Sequence, residues 1–520
     1  MKHALRRVLS VIAALLLVLT TAACSSPAPS AATTPSGQTA GAPATDTPTV
    51  APTEAPTAAA PVKITSLHSD GNVPSENPSV LEEVRKRTGI DWQPILVGPA
   101  DSNAKLNAMI VSNDLPDLFS FDLVNGQKYA QNGLLTKLDD LLAQYGKDIM
   151  DNRGDYMHTG LNGNGTIWGV PGSPYYQVAL AVRTDWLKNL NMELPTTLDD
   201  FYNVLKAFTN DDPDKDGKKD TIGMAACILY DNMWVPVFGA YGIPYKTPIM
   251  VNGTVTSYMM HPNYMEAVKF FRKLYQEGLM EPDFSTIPNM DCLNKLWNGT
   301  YGSICFSPVG TTNNWLGRYT EDPKPTFGYT VVKGPDGKGG VPEVRPAGYY
   351  GIASTCKNPD AAMKLANYLG TSEGDELLYF GIEGKHYKWI DKQAGTYEYI
   401  PPYNDSATHR SDGAFIFWPM FSRWTDNAEI RTMTAITREA LTLSKNNTLP
   451  DAFIFGTPES QAELGTTLMD IEKEALCNLI VSKGDIEAEY QKYVQQWLDQ
   501  GGKTWQEQAT AIYKSENPGK

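Results

Sequence analysis

The run Asp212-Pro-Asp214-Lys-Asp216-Gly217-Lys218-Lys-Asp220 sets carboxylates at relative positions 1, 3, 5 and 9 of a loop, with glycine at 6. Oxygens so spaced can converge on one hard cation, while Gly217 permits the sharp turn and Lys218 offers its carbonyl. Position 12 departs from the calcium-loop pattern, because Gly223 stands where the bidentate Glu belongs. The same spacing also suits a solvated Asx-turn loop between a helix and a strand. The spacing predicts one structural calcium ion on Asp212, Asp214, Asp216, Lys218 and Asp220, pinning a loop and activating no water.

Other motifs fail on context. Gly370-Thr-Ser372-Glu-Gly374 spells the nucleophile elbow, which needs a strand leading into a strained turn. Here the ten preceding residues read as a helix. Gly502-Lys503-Thr504 lacks the earlier glycine of a phosphate loop, where Trp497 stands, and a helix precedes it as well. The histidines (His3, His68, His158, His261, His386, His409) never fall within four residues of one another, so helical zinc spacing is absent. His386, in GIEGKHY, reads as a buried, hydrogen-bonded side chain. No pair of carboxylates stands out as a glycosidase couple, whose members need a separation that sequence does not give.

The elements that would position such groups begin with a leader. Lys2, Arg6 and Arg7 precede an apolar run, Val8–Leu19, broken only by Ser10 and too short for a bilayer. Thr21-Ala22-Ala23-Cys24 follows and resembles the bacterial lipoprotein signal, with Thr21 in place of the usual aliphatic residue. Residues 1–23 are expected to be removed and Cys24 acylated, anchoring the chain to lipid. Residues 24–61, almost all Ser, Ala, Thr, Pro and Gly after the cysteine, cannot offset their ordering entropy and form an extended tether. The five later cysteines (Cys227, Cys292, Cys305, Cys356, Cys477) are odd in number and show no metal-ligand spacing.

From Val62 two periodicities alternate, as in an α/β protein. Strand-like runs include Val62–Leu67, Asp117–Phe121, Ile167–Val170, Val178–Arg183, Tyr301–Phe306, Phe327–Val332 and Tyr350–Ala353. Helical patterns cover Ser79–Thr88, Asn103–Ser112, Leu135–Tyr145, Leu198–Phe208, Asn263–Glu277 and Pro359–Tyr368, and the chain is mainly helical from Asp426. Thr197 is the expected N-cap of the Leu198 helix. Trp92 and Trp186, inside elements, are expected in the core.

Several stretches in order carry a resemblance: NAMIVSNDLPDLFSFD (107–122), GTIWGVP, VALAVRTDWL, LPTTLDDFYNVLKAF, LYQEGLMEPDFST (274–286), NPDAAMKLANYL and GIEGKHY (381–387). Together they resemble the extracellular solute-binding proteins of sugar ABC transporters. They are most similar to the large lipid-anchored branch that includes oligosaccharide and alginate binders. The resemblance implies a two-lobe, periplasmic-binding-protein-like α/β fold of type II with a helical C-terminal region. Chain crossings are expected near 177, 307 and 369. The N-terminal lobe would then comprise 62–177 plus 308–368, and the C-terminal lobe 178–307 plus 369–520. The alginate-binding branch binds calcium through the acidic residues of the loop matching 212–220.

Sugars are held by aromatic faces and by amide and carboxylate groups. Strand ends and crossings therefore nominate Tyr175, Tyr176, Trp234, Asn314, Trp315, Arg345, Tyr350 and Trp418, and Asp122 at the end of a strand that faces the cleft in the resembled fold. The expected function is capture of an oligosaccharide in the interlobe cleft and its delivery to the permease of an ABC importer. The protein is expected to act as a monomer on the outer face of the bacterial membrane, and not as an enzyme. The alternative is a lipid-anchored polysaccharide hydrolase or lyase. With 44 basic against 59 acidic side chains, the net charge of −15 disfavours nucleic acid and anionic lipid. It also weighs against a polyanionic sugar, unless a local charge such as Arg345 reverses the field.

Overall fold

The computed structural model describes residues 61–517, apart from 71, 159, 163–164, 173–177, 344–347, 418–427 and 455. Cys24 with its leader and tether, Tyr175, Tyr176, Arg345 and Trp418 lie outside the described residues.

The strands, in chain order, are β1 (Val62–Ser69), β2 (Ile90–Val97), β3 (Leu118–Asp122), β4 (Val170–Pro171), β5 (Ala179–Arg183), β6 (Ile222–Met224), β7 (Ile249–Val251), β8 (Thr254–Thr256), β9 (Tyr301–Phe306), β10 (Phe327–Thr330), β11 (Val341–Pro342), β12 (Gly348–Ile352), β13 (Tyr387–Asp391), β14 (Thr396–Tyr399) and β15 (Thr448–Leu449). Two mixed sheets dominate, ordered β2-β1-β3-β12-β4 and β10-β5-β9-β6. The pairs β7–β8, β11–β15 and β13–β14 form small ribbons.

In the first sheet β1, β2 and β3 run parallel, and β12 runs against β3 with Gly348 opposite Asp122. Its core joins Ile64, Val84, Trp92, Leu118 and Ile352 to the helices Ser79–Thr88 and Pro359–Leu369. In the second sheet β5 runs against both β9 and β10, while β6 is parallel to β9. Trp186, Phe201, Phe208, Trp234 and Phe271 fill the core around it. Both expected core tryptophans are thus buried, Trp92 in the first and Trp186 in the second.

Local sequence explains the helix that leads into the acidic loop. Leu198–Asn210 buries Leu198, Phe201, Val204, Leu205 and Phe208, a single helical stripe. Its start is fixed reciprocally: Asp200 N–H donates to Thr197 Oγ1 and Thr197 N–H donates to Asp200 Oδ2, each at 3.1 Å.

The passages between sheets differ from the expected ones. The first lies between Pro171 and Ala179, and the expected position 177 within it lies outside the described residues. The second comes later than 307, because β10 pairs with β5 from Phe327–Arg183 to Thr330–Leu180. The chain returns to the first sheet only between Thr330 and Gly348. The third comes later than 369. Leu377 and Leu378 of the Ser372–Phe380 helix, with Ile416 and Phe417, share the first core with Val80. The Ala435–Asn446 helix then packs on β5 and β10. Residues 308–330 therefore go with the second sheet, and 372–417 with the first. Apolar burial, invisible in a helix-to-helix connection, decides the assignment. Beyond this, Gln461–Val481 packs between Tyr264–Gln276 and Ile486–Trp497, and Lys503–Glu516 lies on β8.

Candidate functional site

In open α/β sheets a ligand sits outside the carboxyl ends of the parallel strands. In the first sheet those ends are Ser69, Val97 and Asp122, joined at the same edge by the start of β12. In the second they are Met224 and Phe306, with Ala179 opposite Phe306 and the end of β10 at Thr330. The passage 172–178 leaves β4 at one edge and enters β5 at the other. Seven residues span at most about 25 Å, so the two carboxyl edges are neighbours.

A partly exposed aromatic group lines the edge of the second sheet. The Trp315 ring lies against Phe306 at 5.1 Å and meets Trp297 edge-on at 5.5 Å. Phe306 in turn meets Tyr230 edge-on at 5.1 Å. Gly310 makes room for the indole, since a Cβ there would come within 3.0 Å of Trp315 Cζ2. Asn314 is exposed next to it. Tyr230 and Phe306 were not among the residues nominated from sequence; Phe306 ends a strand that sequence did foresee, and that position was the available signal.

Other nominated residues have different surroundings. Trp234 is fully buried, its ring edge-on to Phe271 and Phe284 and its indole N–H donating to the Cys227 carbonyl at 3.2 Å. It has no face to offer a sugar and is a core residue. Asp122 ends β3 at the carboxyl edge of the first sheet and caps the Leu123–Gln131 helix, accepting from Asn125 N and Nδ2 at 2.8 Å. Tyr350 is half-buried on β12, beside Leu118, Leu138 and Arg153. His386 is buried, accepting from Ile382 N–H through Nδ1 at 2.8 Å, with Nε2 3.0 Å from Asp412 Oδ2. Burial holds its pKa below the ordinary histidine value. Ser372 opens a helix capped by Thr371 and follows another helix, so no elbow exists there.

The acidic loop joins the Leu198–Asn210 helix to β6, the edge strand of the second sheet. Carboxylate oxygens of Asp212, Asp214 and Asp216 all lie within 4.8 Å of one another. Left-handed backbone at Asp212, Lys215 and Gly217 (φ 52°, 60° and 80°) curls the chain around them. Gly217 N–H donates to Asp212 Oδ2 at 3.1 Å, and Lys218 N–H to Asp216 Oδ1 at 2.8 Å. Asp212 Oδ1 is buried with no hydrogen-bond partner. Burial, and then the charges of Asp216 and Asp220, push the Asp214 carboxyl above its usual range. A buried, unpaired oxygen amid mutually repelling carboxylates fits a hard cation, which would relieve both. Asp220 is exposed and near enough to act on Asp214 electrostatically. At position 12 the missing Glu is a steric necessity: a Cβ on Gly223 would lie 2.6 Å from the Leu205 carbonyl oxygen.

A family model described as bacterial extracellular solute-binding protein matches residues 74–376. The chain belongs to that family. It is 26% identical over 357 residues to lipoprotein LipO of Bacillus subtilis, covering 65% of this solute-binding protein and 69% of the relative. It is 25% identical over 455 residues to the polygalacturonan/rhamnogalacturonan-binding protein YtcQ of the same organism, covering 81% and 85%. Three solved structures share the fold. The HMO-binding, ABC-transporter-associated solute-binding protein of Bifidobacterium longum infantis has a TM-score of 0.66 at 18% identity, over 87% of this chain and 98% of that one. Alginate-binding protein AlgQ2 without calcium ion scores 0.61 at 20% identity, over 87% and 98%. An EF-hand mutant of the substrate-binding protein FusA of S. pneumoniae, with fructo-nystose, scores 0.59 at 20% identity, over 87% and 99%. The solute-binding protein is accordingly a binding component and not an enzyme, which removes the hydrolase or lyase alternative. Among the described residues, no helix is long and apolar enough to cross a membrane.

Proposed function

We propose that this solute-binding protein is the lipid-anchored receptor of an ABC importer and captures an oligosaccharide between the carboxyl edges of its two sheets. The observation that carries the reading is the Tyr230–Phe306–Trp315 group, flat rings at the edge where ligands of such sheets bind. The names of YtcQ and of the FusA and Bifidobacterium proteins point the same way. Tyr175, Tyr176, Arg345 and Trp418 fall at the passages between sheets and would complete the pocket, with Asn314, Asp122 and Tyr350 near it. The two halves would close as lobes, with the ligand favouring the closed state, and the monomer would present that state to the permease. Cys24 would carry the anchor on the outer face of the membrane, and the LipO name supports it.

The acidic loop would hold calcium on Asp212, Asp214, Asp216 and Asp220, with the Lys218 carbonyl; the similar structures of AlgQ2 without calcium ion and of the FusA EF-hand mutant support this. The ion would supply charge neutralisation alone. The loop residues themselves tie the end of the Leu198–Asn210 helix to β6, as the Thr221 hydroxyl does by donating to the Phe208 carbonyl at 2.8 Å.

Calorimetry against neutral and uronate oligosaccharides, with chromatography of the recovered sugar, tests the function. Saturable binding and intact sugar are expected. Shortened or unsaturated products, or no binding across the panel, would refute it. For the anchor, Cys24→Ala should shift the protein from the membrane fraction to the medium.

A further inference from the structure

A second pocket lies wholly in the second-sheet half, lined from the 246–248 turn, the Ser257–Tyr258 segment and the helices Gln461–Val481, Ile486–Trp497 and Lys503–Glu516. It holds about 610 Å³ free of protein atoms, part of it open to solvent. On its Gln461–Val481 wall, the Gln461 side chain lies over Gly465, which leaves no room there for a Cβ. Two indoles form a corner, Trp497 and Trp505, with centroids 6.1 Å apart and planes at 77°. Trp505 is held by its N–H donating to Gln461 Oε1 at 2.6 Å.

Glu472 lines this pocket and forms no ion pair within 4 Å among the described residues. Its Oε1 accepts from Ser257 Oγ at 2.5 Å and from Trp497 Nε1 at 3.2 Å, both neutral donors. Lys246, also in the wall, pairs with Asp231 Oδ1 at 2.7 Å and also acts on Glu472 through its charge. The tyrosines around the carboxylate, Tyr245, Tyr258 and Tyr264, are buried, and the hydroxyl of Tyr264 makes no hydrogen bond. Burial, and then nearby negative charge including that of Glu472, pushes these phenols well above their usual range. Electron-rich rings and a carboxylate whose second oxygen accepts no hydrogen bond among the described residues make a partly desolvated hollow of acceptor character. A cation against aromatic faces and a carboxylate is the occupant such a hollow favours.

We propose that this pocket is a second ligand site, which takes a small organic ammonium ion onto the Glu472 carboxylate against the Trp497–Trp505 corner and Tyr258. The site is independent of the oligosaccharide reading, since none of its lining residues comes from the sheet edges. Burial raises the Glu472 pKa to about 7. The ammonium needs the ionised carboxylate, so affinity rises with pH and levels off above that value.

The test uses the full chain, n-butylammonium chloride as probe and n-butanol as its neutral counterpart, read by calorimetry and indole fluorescence. Saturable ammonium binding is expected at pH 8, weaker by about tenfold at pH 6 as the carboxyl protonates. Butanol should bind at least about tenfold more weakly than the ammonium. Glu472→Gln retains an acceptor for Ser257 and Trp497 but loses the charge, so it should lower affinity about tenfold or more and flatten the pH profile. Trp505→Ala should weaken binding several-fold, and it carries the test with the wild-type pH series should Glu472→Gln fail to fold. Equal binding of butanol, full affinity in Glu472→Gln, or no saturable ammonium binding would overturn the proposal. Oligosaccharide affinity, measured in the same samples, should not change. Failure of the ammonium arm alone leaves the cleft reading standing.

Discussion

The acidic loop and the aromatic edge of the second sheet are built in opposite ways. Asp212, Asp214 and Asp216 fall within five residues of chain, and one turn brings them together. Tyr230 meets Phe306 and Trp315 from a segment some 75 residues earlier, and the pairing of β6 with β9 brings those two segments side by side. A local site is therefore robust to errors about topology, whereas an assembled site inherits every one of them. The two tryptophans nominated on the same grounds show the cost: Trp315 is at the edge and Trp234 is in the core.

The sharpest separation of those two comes from removing each ring. Trp234→Ala should destabilise the fold by about 3–5 kcal/mol, read as a lowered denaturant midpoint, because a fully enclosed indole leaves a cavity. Should the fold hold while sugar binding alone is lost, Trp234 would belong to the site after all.

Gly223→Glu tests whether the loop obeys its motif or its packing. Motif logic expects tighter calcium binding from a restored twelfth ligand. Packing against Leu205 instead predicts a loss of stability of roughly 3 kcal/mol, with no gain in calcium affinity. A stable variant with tighter binding would show that the helix and β6 can part at little cost.

Chelation comes next in size. A native-state ligand at a hundred times its dissociation constant stabilises by about 2.7 kcal/mol, so removing calcium should lower Tm measurably. Asp212→Asn should abolish that response and leave sugar affinity nearly unchanged. Identical melting curves with and without chelator would leave the cluster a solvated turn.

Trp315→Ala should have the smallest effect on stability and the clearest one on ligand. A stacked ring contributes about 1–3 kcal/mol, a factor of roughly ten to a hundred in Kd. Unaltered affinity for every oligosaccharide that binds would move the site away from this edge.

Much of the fold was legible because its signals are local. The Ser79–Thr88 helix has the expected bounds, and the Thr197 cap and the strand Tyr301–Phe306 are as read. β2 was missed because Pro94 breaks the Ile90-Asp91-Trp92-Gln93 alternation after only four residues, yet all eight of its residues pair with β1. The passages at 307 and 369 were placed too early for one reason. Strand pairing of Phe327–Thr330 and the burial of Leu377 and Leu378 are long-range facts. Glu472 gave no signal, since a lone Glu on a helix reads as solvent-facing until Ser257 and Trp497, from distant segments, close over it.

The three passages between the sheets have a mechanical consequence. Two bodies tied by one strand tumble, whereas ties that join neighbouring edges, as those from Pro171 to Ala179 and from Thr330 to Gly348 do, would act as a strap hinge. Sliding and twisting would stretch one tie while slackening another, so bending about the line through the ties is the soft mode. Opening then costs little in directions that admit a long chain from the side, and much in directions that would scramble the register of facing groups. Such a receptor keeps the angular relation of its two walls at every stage of opening, and a ligand grasped at one end is already aligned for the other.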